Sequence, residues 1–221
     1  MQSSLADWKP VPLPRREPMH GRTVMLVPLD AKLHAADLWN AVKGHDEVWQ
    51  YLFDGPYPSQ ADLARDIAVK QSANDRIFYA IISGDIGAAV GYASFMRMDP
   101  TNGVIEVGNI MLSPALQRTT ASTEAMYLMA RHVFERGYRR YEWKCNAENL
   151  PSRRAAERLG FNFEGIFRQH MVIKGRNRDT AWFAMLDSEW PDRKAAFEDW
   201  LDPANFTSDG AQRRSLRSFK P

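Results

Sequence analysis

The sequence predicts a single mixed α/β (α+β) domain, and three observations carry that reading. Segments rich in β-branched and aromatic residues alternate with segments whose apolar residues recur at helical spacing. Turn and cap signals separate them at short intervals, with no repeat and no second domain boundary. Between 104 and 159 the elements follow in the order strand, tight turn, helix, strand, helix. A length of 221 residues suits one such domain, with enough chain for a substantial core.

Taken in order, Pro10, Pro12, Pro14 and Pro18 make residues 1–21 an extended arm. A strand over 23–29 follows, then Asp30 as the cap of a helix over 31–42. Residues 48–53 are dense in aromatics and lead to Gly55-Pro56, after which Ser59 caps a polar helix over 60–72. Strands over 76–82 and 90–98 form a hairpin around Gly84-Asp85. Ser83-Gly84-Asp85 breaks the apolar run 77–95, so two strands explain it better than a membrane span. Asn102-Gly103 starts a strand over 104–112, which Ser113-Pro114 stops. Met126, Met129, Ala130, Val133 and Phe134 fit one face of a helix over 120–136, ended by Gly137. Tyr141, Trp143 and Cys145 alternate with Arg140, Glu142, Lys144 and Asn146, the pattern of a strand with one apolar side. A short helix over 151–159 ends at Gly160, strands over 163–173 and 180–186 flank the turn 174–177, and a last helix covers 191–201. The domain proper is then 22–201, followed by a polar tail over 202–221 that turns basic at Arg213, Arg214, Arg217 and Lys220.

Composition narrows the function classes. A net charge of +2 gives no mandate for nucleic acid as a partner. Cys145 is the single cysteine, which excludes an intrachain disulfide and fits a reducing cytoplasm. His20, His34, His45, His132 and His170 show no metal-ligand spacing, so no metal is expected. Asp7, Lys9 and the prolines stand where a signal peptide needs an apolar segment, and no membrane association is expected.

The turn after Leu112 feeds directly into a helix N-terminus. Free N–H groups and the positive end of the helix dipole make such a place an anion site. Arg118 adds a formal charge, and Thr119, Thr120, Ser122 and Thr123 add hydroxyl donors. An ordinary Thr-capped core helix carries the same local signature, so the turn by itself leaves both readings standing.

The wider order of motifs is more specific. Glu106-Val107-Gly108-Asn109-Ile110-Met111-Leu112-Ser113-Pro114, then Gln117 to Ala125, Asn149-Leu-Pro-Ser152, Leu159-Gly160-Phe161 and Glu164 to Arg168 succeed one another. In that order and spacing the chain resembles the GNAT superfamily of N-acetyltransferases, in particular its ribosomal-protein (RimJ/RimL-like) branch, over about residues 22–190. Val48 to Leu52 and Gly55-Pro56 are similar to the early helical region of that branch. The resemblance implies a three-layer fold around a central, mostly antiparallel, six- to seven-stranded mixed sheet, splayed near Leu112 at an acyl-CoA site. It implies acetyl-CoA, or another acyl-CoA, as co-substrate and a small-molecule or protein N-terminal amine as acceptor; a homodimer is left open. One departure stands out. Thr120 occupies the position where the family pattern has glycine, and Ser122 replaces its final Gly or Ala.

Individual roles follow from the same likeness. Gln117, Arg118, Thr119, Thr120, Ala121, Ser122 and Thr123 would hold the pyrophosphate. Backbone N–H groups of Met111 and Leu112 would pair with the pantetheine arm and polarise the thioester carbonyl. Glu106 is a lone acid in an apolar strand; it reads either as an ion-pair partner or, as in some members, as the base that deprotonates the amine. Asn149 and Ser152 read as caps of a helix start; the likeness adds a pantetheine contact for Asn149 and proton donation to the leaving thiolate for Ser152. Arg153 with Arg154 would meet the 3′-phosphate, or form a solvated basic face. Cys145 reads as a buried structural thiol, which implies direct transfer in a ternary complex. Trp49, Tyr51, Phe53 and Tyr57 lie where relatives often line the acceptor groove, although aromatics there are equally expected as core, and Arg97, Arg168 and the turn 174–178 either meet an acidic acceptor or are solvated strand ends. Two other classes stay open: a catalytically silent acyl-CoA-binding or scaffold protein, motivated by Thr120 and Ser122, and a ribosome-associated protein using the basic tail.

Overall fold

The structure, a computed structural model, describes residues 5–219. One sheet carries eight strands in the order β1-β2-β3-β4-β5-β6-β8-β7. These are β1 (Met19–His20), β2 (Val24–Pro28), β3 (Arg76–Ser83), β4 (Ala89–Asp99), β5 (Val104–Leu112), β6 (Arg140–Asn146), β7 (Asn162–Ile173) and β8 (Arg176–Leu186). The helices are α1 (Ala31–Val42), α2 (Gln60–Ser72), α3 (Thr120–Phe134), α4 (Leu150–Leu159) and α5 (Trp190–Leu201). Every neighbouring pair of strands is antiparallel except β5–β6, which is parallel. The mixed three-layer architecture is the expected one, with one strand more than the six or seven expected. The extra strand is β1, where the end of the proline-rich arm pairs with β2.

Alternation along the strands assigns the two faces. Phe78 and Ala80 of β3 pack with Leu38, Trp49, Leu63 and Ile67 beneath α1 and α2. Ile77, Tyr79 and Ile81 point the other way, into a larger core with α3 and α5. Tyr141, Trp143 and Cys145 of β6 belong to that second core, as the sequence pattern required. Helix starts follow the expected caps. The Asp30 carboxylate accepts from the N–H groups of Lys32 and Leu33, and Ser59 Oγ accepts from Asp62 N at 3.2 Å.

The β3–β4 loop spans Gly84 to Ala88, around the expected Gly84-Asp85, with each flanking strand one residue longer there than expected; one other turn differs from expectation. The β7–β8 turn is tighter than the expected 174–177, because Ile173 already pairs with Arg176. Lys174 (φ +50°) and Gly175 (φ +73°) take the left-handed conformation that a two-residue hairpin demands, so β8 begins four residues earlier than read.

Both chain ends pack on the domain. Trp8 Nε1 donates to the Thr101 carbonyl at 2.8 Å, and Tyr79 Oη donates to the Arg15 carbonyl at 2.8 Å. Buried Glu124 of α3 fastens the turn into β2: its carboxylate accepts from Arg22 N and Thr23 N, both at 2.7 Å, and from Thr23 Oγ1 at 2.5 Å. At the other end Leu216 is buried, and Phe206 bridges to Gln212. Lys220, named with the basic tail, lies outside the described residues.

Candidate active site

The parallel pair supplies the key feature. β5 and β6 are paired from Val104–Arg140 to Val107–Trp143 and then part. Beyond that point β5 stays with β4 as far as Leu112, while β6 stays with β8 as far as Asn146. The backbone of 109–112 that faces the gap has no strand partner.

A bulge in β5 re-aims its side chains at the same place. The β4–β5 register shifts between Tyr92 and Ser94, and Asn109 adopts φ +49°. Before the bulge Ile105 and Val107 enter the α3 core; after it Ile110 and Leu112 take that side, while Met111 turns toward α1 and α2. Ile110 and Leu112 then help line a cleft of about 470 Å³, whose walls also include Arg118, Thr119, Thr120, Ser122 and Thr123 from the turn and Trp143, Ala155 and Arg158 opposite.

At the head of the cleft, Thr119 caps α3. Its Oγ1 accepts from Ser122 N at 3.1 Å and donates to the Leu116 carbonyl at 2.7 Å. Ser122 Oγ donates back to the Thr119 carbonyl at 2.8 Å, so the hydroxyl of this larger side chain is held by the turn at the edge of the cleft. The N–H groups of Thr120 and Ala121 have no partner among the described residues, as expected for the first turn of a helix. Arg118, at φ +62°, is exposed and forms no ion pair among the described residues. Gln117 instead donates from Nε2 to the Leu112 carbonyl at 3.0 Å, bracing the turn.

Across the cleft, Asn149 is the cap of α4: its Oδ1 accepts from Ser152 N at 3.1 Å. Ser152 Oγ accepts from Trp143 Nε1 at 3.0 Å, which fixes the hydroxyl near Cys145. Burial pushes the Cys145 thiol up, more than Ser152 and nearby cations lower it, so it is a poor nucleophile. Arg153 turns away, donating to the Ala147 carbonyl at 3.3 Å and stacking 5.6 Å from the Phe163 ring. The cation that α4 presents to the cleft is Arg158, which sequence reasoning missed. Its Nη1 donates to Thr123 Oγ1 at 3.0 Å, its guanidinium lies 5.1 Å from the Trp200 ring, and no carboxylate pairs with it among the described residues. Burial, then the neighbouring Arg217, lowers its pKa.

Glu106 faces away from the cleft, on the opposite side of the sheet from Ile105 and Val107. It is buried, and both oxygens are engaged. Arg97 Nη1 donates to Oε1 at 2.8 Å and to Oε2 at 2.9 Å, and Lys144 Nζ lies 2.9 Å from Oε2. The chain of charges continues from Lys144 to Glu142 at 2.6 Å and on to Arg140 at 2.7 Å. The ion-pair reading of Glu106 therefore holds as geometry, whatever else the carboxylate does.

Residues 23–162 match the acetyltransferase (GNAT) domain family. The chain belongs to the GNAT acetyltransferase family. A GCN5-related N-acetyltransferase from Brucella melitensis is similar over 96% of this chain and 98% of its own, at 48% identity and a TM-score of 0.94. An uncharacterized N-acetyltransferase, p20, of Bacillus licheniformis is 27% identical over 165 residues, 72% of this chain and 91% of that protein. The ribosomal-protein-serine acetyltransferase of Escherichia coli (strain K12) is 29% identical over 102 residues, 45% of this chain and 56% of that protein. The GNAT domain is thus an enzyme domain, and its matched segment contains the β5 bulge, the α3 turn and α4. Trp200, Phe206, Gly210 and Gln212, which also line the cleft, lie beyond the matched segment. Only contacts with the domain reveal them as cleft residues; Trp200 belongs to the last helix, and the local sequence of the other three is that of a polar tail.

Proposed function

We propose that this enzyme transfers an acetyl group from acetyl-CoA to a primary amine, directly and within a ternary complex. The observation that carries this reading is the gap where β5 and β6 part, beside a cleft headed by a free helix N-terminus. The unpartnered N–H groups of Thr120 and Ala121, with Arg118 and Arg158 lacking carboxylates, fit a pyrophosphate and a further phosphate. Thr119, Ser122 and Thr123 organise that turn, and Gln117 braces it. Backbone N–H groups near Met111 and Leu112, beside the open edge of β5, would hold the pantetheine arm and polarise the thioester. Asn149 positions the start of α4 beside that arm, and Arg153 supports it from behind.

The amine nitrogen forms its bond to the thioester carbonyl carbon as the carbon–sulfur bond breaks. Glu106 receives one ammonium proton through water before attack; Ser152 gives its proton to the departing thiolate and is reprotonated by the second proton, which the new amide nitrogen releases. Buried Cys145 takes no acyl group. The E. coli relative is by its name a ribosomal-protein-serine acetyltransferase, which supports a protein among the acceptors. The absence of a membrane-length apolar helix among the described residues is compatible with the cytoplasm, where acetyl-CoA is available.

Isothermal titration with acetyl-CoA and with desulfo-CoA, followed by thiol release against an amine panel, tests the reading. Binding of both with release on at least one amine is expected. Binding without release on any amine would favour a silent acyl-CoA-binding protein, and failure to bind either would remove the cofactor assignment.

A further inference from the structure

Among the described residues the buried lysine side chains have their counter-ions, and the buried arginine, Arg178, does not. Lys70 is bonded to Asp54 and Asp66, and Lys144 to Glu106 and Glu142. Arg178 is only 7% exposed, yet it makes no ion pair and no side-chain hydrogen bond among the described residues. Its Nε is buried without an acceptor, and its guanidinium rests 5.1 Å from the Phe53 ring. Burying a guanidinium without an anion is unfavourable, and a chain that keeps one gains from it when something else supplies the anion.

Its position says where that anion comes from. On β8, Arg178 shares a face with Thr180 and Trp182, opposite Ala181 and Phe183 of the core. Trp182 packs over Lys144 Nζ at 3.7 Å, and Lys144 binds Glu106. Arg178 therefore lies on the Glu106 side of the sheet, across the β5–β6 gap from the phosphate-binding cleft, whose lining does not include it. Desolvation lowers its pKa; Cys145 and then Glu106 act to raise it, and Arg97 to lower it. Over it lies the loop of Phe53 and Asp54. Lys174 Nζ anchors that loop through the carbonyls of Trp49, at 2.9 Å, and Asp54, at 2.8 Å. The other cations of this face are committed or open to water: Arg97 binds Glu106, and Arg168 and Arg176 are exposed.

We infer that Arg178 receives a carboxylate on the acceptor, so that the preferred substrates are primary amines carrying a carboxylate near the amine. The inference rests on the acetyltransferase reading for its chemistry. A planar guanidinium holds a carboxylate through two parallel hydrogen bonds, and this would orient the amine toward the gap and Glu106. The carboxylate can be the α-carboxylate of a free amino acid or an acidic side chain next to a peptide's N-terminal amine.

The test uses amines in matched pairs with acetyl-CoA and the full chain. One pair is glycine and glycinamide; the other is a serine-led peptide with Glu or Gln at its second position. The expected result is that kcat/KM favours the carboxylate member of at least one pair by about tenfold or more, and that Arg178→Met and Arg178→Gln abolish this preference chiefly through KM. Which pair shows the preference identifies the source of the carboxylate. Equal kcat/KM within both pairs, or an equal fall on all four amines in the variants, overturns the inference; the second result would assign Arg178 to the thioester or thiolate instead. Titration of CoA-loaded protein with N-acetylglycine and N-acetylglycinamide separates this from the parent reading. If no amine is turned over but N-acetylglycine binds more tightly and Arg178→Met removes the difference, the acetyltransferase reading falls and the carboxylate site stands. If neither compound is distinguished and no pair shows a preference, the carboxylate site falls whether or not amines are turned over. Melting curves of both variants confirm that they fold.

Discussion

Glu106 and Lys144 meet at 2.9 Å across the parallel strands β5 and β6, at the level where the two strands are about to part. The pair is buried, with side chains only 3% and 5% exposed, and Arg97 and Glu142 extend it on either side. A carboxylate so engaged has few lone pairs left for a substrate proton, so a water between it and the amine is the geometry most consistent with base catalysis. The same contacts tie Glu106 to stability.

The first prediction separates those two roles. Glu106→Gln removes an anion from between two cations, which costs about 3–5 kcal/mol of stability, as for other broken buried pairs. If Glu106 is also the base, kcat falls by about 100-fold or more while acetyl-CoA affinity stays within about twofold. Melting curves and pH–rate profiles of the two proteins are the measurements. A loss of stability with an unchanged pH–rate profile would leave Glu106 as a structural residue alone.

Glu124 gives the second prediction. Its carboxylate accepts three hydrogen bonds from Arg22 and Thr23, and Gly21 lies against it so closely that a Cβ there would sit 2.7 Å from its Cδ. Glu124→Ala strands these donors and should cost about 2–4 kcal/mol. Because the arm is fastened through this turn, limited proteolysis should cut the variant within residues 5–21 sooner than the parent. An unaltered melting temperature would show that the contact contributes little.

Much of this was legible in the sequence, for identifiable reasons. Strand alternation at 140–146 and helical spacing at 126–134 report burial directly, and Asp30, Ser59 and Asn149 cap helices through contacts only two or three residues long. Two features escaped because their causes are not local. The β5 bulge at Asn109 shows only in the register against β4, so the switch that sends Met111 one way and Leu112 the other could not be read along the strand. Arg158 likewise looks like an ordinary surface cation until packing leaves it without a carboxylate partner among the described residues, whereas the turn that ends at Arg178 reads either as a partner of an acidic acceptor or as a solvated strand end, and only its burial distinguishes Arg178 within it. The tail read as polar because its buried members, Asn205 and Leu216, and half-buried Phe206 are spaced without a period.

The third prediction concerns acid. His132 is buried, stacked on Phe95 with ring centroids 5.6 Å apart, and desolvation, with Arg136 adding to it, lowers its pKa from 6.5 to about 4. The folded state thus resists a proton that the unfolded chain accepts. The stabilisation is complete above the unfolded pKa near 6.5 and is lost progressively as pH falls toward about 4. Melting temperature should fall through that window, and His132→Phe, which keeps the stack and removes the titration, should flatten the fall. Parallel curves for the two proteins would exclude His132 as the cause.

Arg158 carries the last prediction. It is half-buried in the cleft, bonded to Thr123, stacked on Trp200 and without a carboxylate among the described residues. Thr123 stands in the first turn of α3, so this guanidinium lies beside the helix N-terminus and not at the far mouth of the cleft. A phosphate bound there would supply the counter-ion that the chain itself does not provide. Arg158→Gln keeps a donor for Thr123 and removes the charge. The Kd for acetyl-CoA should rise about 10- to 100-fold, the range for losing a charge-assisted contact, and should become less sensitive to salt. Acetyl-pantetheine lacks the phosphates, so transfer from it should proceed equally well in the two proteins. Equal acetyl-CoA affinities would mean that Arg158 serves only to hold Trp200 and the C-terminal segment in place, and a matching fall with acetyl-pantetheine would point to damage of the cleft as a whole.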